Sequence, residues 1–95
     1  MDKNDVLKLA PGILKRMEYG AEVFYLLNLK TDEIWTGNIS AGIFISSLDG
    51  YKSVEKVILE LKPLFETYAE EVLYLTFGEI VNELLEKCFL IKCNN

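Results

Sequence analysis

The chain has 95 residues, 51% of them apolar, with 10 basic against 15 acidic residues for a net charge of −5. That is one domain's worth of sequence, able to bury a single modest core. It contains no histidine, so the usual general base at neutral pH and the commonest metal ligand are missing. Its one arginine, Arg16, sits in an acidic chain, a poor basis for nucleic-acid binding, where Lys and Arg gain affinity by releasing phosphate counterions.

The first six residues read as a frayed polar tail. From Leu7 the pattern turns extended: VLKLAPGILKRMEYG alternates loosely around Pro11-Gly12, a bend between two short pieces. AEVFYLLNL, residues 21–29, is rich in aromatic and branched side chains, as a buried strand is. Lys30-Thr31-Asp32 makes a polar turn and EIWT, residues 33–36, returns as a short strand. These pieces predict a three-stranded antiparallel meander with EIWT last and at an edge. Side chains alternate along a strand, so Ile34 and Trp35 cannot both face inward.

At NISAGIFISSLDG the period changes. Ala41, Phe44, Ile45 and Leu48 recur at helical spacing, with Asn38 or Ser40 as cap and Asp49-Gly50 as the stop. Ser53 caps a second helix carrying Val54, Val57, Ile58, Leu61 and Leu64 on one face; Pro63 ends or kinks it near Leu61. A third helix is predicted from Glu70 to Lys87, with Leu73, Phe77, Ile80, Val81, Leu84 and Cys88 towards the core. Phe89-Leu90-Ile91 closes the chain as an apolar end-piece. The fold class is α+β, winged helix-turn-helix-like, a three-stranded antiparallel sheet followed by three helices.

Chemistry-bearing motifs are scarce. Cys88 and Cys93 form a lone C-x4-C without the second ligand pair that a structural zinc site needs. Adjacent Glu70 and Glu71 point to different sides of a helix and cannot share a substrate. The expectation is therefore a domain that is not an enzyme and has no metal or cofactor. No apolar run reaches the length of a membrane span, and MDKNDVLKLAPG lacks the apolar middle of a signal peptide, so a cytoplasmic, membrane-free protein is expected.

From Asn38 to Ile58 the pattern N-I-S-A-x-x-F-x-x-x-L-D-G-x-x-S-V-E-x-V-I resembles the PqqD family, the RiPP recognition elements that bind precursors of ribosomally made, modified peptides. The likeness runs from about Leu9 to Ile91. It departs from the family at Gly37, where an apolar residue is usual, at Thr76-Phe77, where Asp-Val is common, at Cys88, where glycine is usual, and at Pro63. The resemblance implies a stand-alone, non-catalytic adaptor that holds a precursor's leader peptide for a modifying enzyme such as a radical S-adenosylmethionine maturase.

Independently of family, an edge strand offers unpaired backbone groups that a guest peptide can satisfy by adding as a new strand. The expected binding residues are Glu33, Ile34, Trp35 and Thr36 on that strand, with Val72, Leu75, Thr76, Glu79 and Glu83 on the third helix. A mixed apolar and acidic face there suits an apolar anchor and a Lys or Arg. The same edge also permits pairing with a second copy of the chain. The competing reading is a winged-helix DNA-binding regulator, against which stand Glu70, Glu71, Glu79, Glu83 and Glu86 on the third helix.

Overall fold

A computed structural model describes residues 1–94. Five strands and three helices follow in the order β1 (Leu7–Leu9), β2 (Ile13–Glu18), β3 (Val23–Asn28), β4 (Ile34–Gly37), α1 (Ile39–Ser46), α2 (Val54–Leu61), a 3-10 turn (Lys62–Phe65), α3 (Glu70–Glu86) and β5 (Leu90–Lys92). The result is a small α+β domain with a three-stranded antiparallel sheet in the order β2-β3-β4, the predicted meander.

Two expectations about the ends of the chain need correcting. The extended piece before Pro11 does not join the meander. It is β1, which pairs antiparallel with β5 in a second sheet, Leu7 opposite Lys92 and Leu9 opposite Leu90; the apolar end-piece is thus a strand. Residues 1–6 are not frayed either. The amide of Glu55 donates to the Lys3 carbonyl at 3.0 Å and that of Val54 to the Asp5 carbonyl at 2.8 Å. The Asp5 side chain is buried beside Lys92 Nζ at 3.5 Å. Local polarity suggests fraying, but these bonds satisfy the first amides of α2 and so hold the segment in place.

The helix starts follow the local chemistry of their caps. Asn38 Oδ1 accepts from the Ala41 amide at 2.8 Å and Ser53 Oγ from the Lys56 amide at 3.2 Å. Between them, Asp49 Oδ1 accepts from the amides of Tyr51 and Lys52, and Gly50 takes φ +83°, a value open to glycine at no steric cost. The Gly50 amide then donates to the Leu7 carbonyl at 2.9 Å. The Leu48-Asp49-Gly50 motif is accounted for as a turn that anchors β1, with Leu48 buried beneath it. α1 itself stops earlier than predicted, at Ser46.

The core joins the inner face of the meander to all three helices. Phe44 of α1 stacks on Phe77 of α3, centroids 4.2 Å apart and 2° from parallel, with Phe65 edge-on to Phe77. Phe24, Leu26 and Trp35 close the sheet side. At Gly42 a Cβ would come within 2.6 Å of the Phe24 ring, so α1 reaches the sheet only because that side chain is missing. Pro63 ends α2 at Leu61 as expected, and the chain turns through the 3-10 segment. That turn swings Leu64 out to solvent, against its expected place on the apolar face of α2.

Cys88 also leaves its expected place in the core. Helix α3 ends at Glu86, Cys88 takes φ +65° and its side chain is exposed. The Phe89 amide donates to the Leu84 carbonyl at 2.8 Å and the Cys88 amide to the Leu85 carbonyl at 3.2 Å. This is the Schellman pair of bonds, with buried Leu84 and Phe89 as its accompanying apolar residues. It turns the chain sharply into β5.

Candidate functional site

Strand β4 forms one edge of the meander, and the hydrogen-bond alternation defines what that edge offers. The Asn28 amide donates to the Glu33 carbonyl at 2.9 Å. In an antiparallel ladder, bonded and non-bonded pairs alternate, so Leu26–Trp35 and Phe24–Gly37 are the next bonded pairs in the register of β3 and β4. The N–H and C=O groups of Ile34 and Thr36 therefore point away from β3, along the open rim. The opposite edge differs. There β2 carries Lys15, Arg16 and Glu18, the charged guards that discourage strand pairing. Strand β4, Ile-Trp-Thr-Gly, has no charge at all.

Side-chain alternation resolves the choice between Ile34 and Trp35. Ile34 is 64% exposed and Trp35 only 9%. Ile34 lies on the outer face of the sheet in register with Leu27 and Leu14, where these residues help to line a shallow concavity of about 610 Å³. Trp35 turns inward and is tied to α3: its indole N–H donates to Glu83 Oε2 at 3.2 Å, and Lys87 Nζ donates to Glu83 Oε1 at 3.3 Å. Those two hydrogen bonds, the indole's first, hold the Glu83 carboxyl below the usual glutamate range.

Gly37 is the reason the indole fits. A Cβ at residue 37 would lie 2.6 Å from Trp35 Cη2 and 2.8 Å from Cζ3. The ring of residue 35 occupies the space where residue 37, two positions along on the same face, would otherwise place its side chain. The glycine that departs from the family pattern is thus matched by a tryptophan.

Past the end of β4, between the start of α1, the segment that follows the 3-10 turn and α3, lies a pocket of about 180 Å³, lined in part by Asn38, Ser40, Phe65, Tyr68, Val72 and Thr76. Trp35 meets α3 near its C-terminal end, at Glu83, while Asn38 meets its N-terminal half, so the helix runs antiparallel to the strand. The rim of β4, its tie to α3 at Trp35–Glu83 and the pocket past Gly37 make up one candidate surface, the trench.

The predicted residues divide accordingly. Ile34, Trp35 and Thr36 are on the edge strand, with Glu33 just before it, its carbonyl already bonded to β3. Val72 and Thr76 line the pocket, and Glu83 is bound to Trp35. Leu75 and Glu79 turn further round α3 and line a different hollow with Met1, Lys3, Gly78 and Asn82. Sequence reasoning missed Tyr68 and Phe65, which reach the trench because of the Pro63 turn, and Lys87, whose i,i+4 spacing from Glu83 was a readable sign.

Among the described residues no group of three or more Cys, Asp or Glu side chains is placed to hold a metal ion, and none of the helices is long and apolar enough to cross a membrane. Comparison with protein-family models, with curated proteins and with solved structures gives no match.

Proposed function

We propose that the chain is a non-catalytic peptide-binding domain of the winged helix-turn-helix, PqqD-like kind: a RiPP recognition element that takes the leader of a precursor peptide as a fourth strand on β4 and presents it to a modifying enzyme, such as a radical S-adenosylmethionine maturase, in the cytoplasm. The observation that carries this reading is the uncharged β4 rim, with the backbone groups of Ile34 and Thr36 directed outward and a mostly apolar pocket between α1 and α3 past the end of the strand. A guest strand satisfies those groups and places alternate side chains in the trench, which is how strand addition combines affinity with specificity. Helix α3 is acidic on its exposed face, from Glu70 and Glu71 to Glu86, which disfavours the DNA-binding alternative, since a recognition helix approaches phosphate.

The test uses fluorescence titration with labelled synthetic peptides copied from short reading frames beside the gene. Ile34→Pro and Thr36→Pro each delete one outward donor. With the fold intact by circular dichroism, each is expected to weaken binding tenfold or more. Unchanged affinity in both folded variants refutes strand addition on β4.

A further inference from the structure

The trench differs along its length, and the register converts that difference into a rule for the guest. A strand added to β4 bonds to the outward groups of Ile34 and Thr36, so the guest residues opposite Trp35 and Gly37 form pairs without mutual hydrogen bonds. Residues directly opposite one another share a face of the sheet. Those two guest side chains therefore point inward, towards α3, while their neighbours point out beside Ile34 and Thr36. Past Gly37, which the Trp35 ring covers, lies the pocket of Thr76, Ile80 and Tyr68, whose walls are mostly apolar. Opposite Trp35 lies the carboxylate of Glu83, to which Lys87 is the only cation bonded among the described residues. Glu79 stands one turn earlier, exposed on the neighbouring side of the helix.

We propose that the guest is recognised by two inward side chains two residues apart, an apolar one opposite Gly37 that reaches the pocket beyond it and a lysine or arginine beside Trp35 that shares Glu83 with Lys87. This rests on the peptide-binding reading and deepens it into a sequence preference. Antiparallel addition, the commoner pairing, orders the guest as apolar–any–basic from its N-terminus; parallel addition reverses the order. An acidic residue beside Trp35 is rejected by repulsion from Glu83. The charge of Glu83 complements a basic guest residue, and the pocket past Gly37, with Phe65, Val72 and Ile80 among its walls, offers the apolar seat.

The experiment is a positional scan of labelled ten-residue peptides against the full chain, with Ile34→Pro as the control for strand addition. Binders sensitive to Ile34→Pro are expected to carry the apolar–any–basic pattern or its reverse. Changing the basic residue of a binder to alanine should cost about fivefold in affinity, the scale of a partly exposed ion pair. Glu79→Gln with Glu83→Gln should erase the basic preference and keep the apolar one; Thr76→Trp, which fills the pocket, should do the opposite. A basic preference that is absent, or that survives the double Gln variant, overturns the rule while leaving strand addition standing. A library in which no binding responds to Ile34→Pro overturns both.

Discussion

At the scale of single residues, Trp35 and Gly37 behave as one unit. An added methyl at residue 37 meets a rigid ring end at well under van der Waals distance, so the indole has to leave its seat and its bond to Glu83. Gly37→Ala is expected to destabilise the fold by about 1–3 kcal/mol, the cost of overpacking, read by urea unfolding. Because Trp35 is the chain's only tryptophan, its emission should shift to the red in the folded variant. An unshifted spectrum with unchanged stability would show that the ring does not occupy that space. Glu83 supplies a second residue-scale expectation. Its carboxyl titrates below its ordinary value because Trp35 and Lys87 bond to the ionised form. A depressed folded-state value contributes stability above the ordinary glutamate pKa, and that contribution is lost as pH falls through the folded value. Trp35 emission should therefore change on acidification below the ordinary glutamate range, and Glu83→Gln should remove that step. Alternation in the sequence showed that only one of Ile34 and Trp35 could face inward. A glycine two residues from a tryptophan on the same strand face was the readable hint that it is Trp35, since glycine inside a strand signals close approach.

At the scale of elements, the helix starts were legible because a cap is a local event: Asn38 and Ser53 each bond an amide three residues on. The end of α3 was less so. Cys88 continues the apolar spacing of the helix, yet the Schellman bonds from Cys88 and Phe89 close the helix first and leave Cys88 in a left-handed conformation. Such a conformation costs a residue with a Cβ roughly 1 kcal/mol. Cys88→Gly should accordingly raise stability by about 0.5–1 kcal/mol, measured by thermal or urea unfolding; a loss of stability would mean that the Cys88 side chain makes contacts that outweigh the strain. The edge strand adds a consequence of its own. The outer face aligns Leu14, Leu27 and Ile34 across three strands, and under the proposed strand addition a guest would extend that row with an outward side chain opposite Ile34.

At the scale of the whole molecule, the meander, the helix order and the open edge were legible because each is written in short-range pattern: period two, then helical spacing, with turn residues between. The second sheet was not. β1 and β5 are three residues each, too short to show a period, and their pairing joins opposite ends of the chain. The N-terminal segment misled for a related reason, since its composition is polar while its partners, Val54, Glu55 and Lys92, lie far along the sequence. The trench was half legible. Val72 and Thr76 could be placed by helical geometry, whereas Phe65 and Tyr68 depend on how the Pro63 turn directs the chain.

The bond between β1 and β5 also bears on how the protein is made. Leu7 and Leu9 leave the ribosome some 80 residues before Leu90 and Lys92, about 4–16 s at ordinary rates of synthesis. Throughout that interval these leucines have no strand to pair with. The β1–β5 pair therefore closes only after residues 90–92 have been made, and a chain stopped short of them leaves β1 without its partner strand.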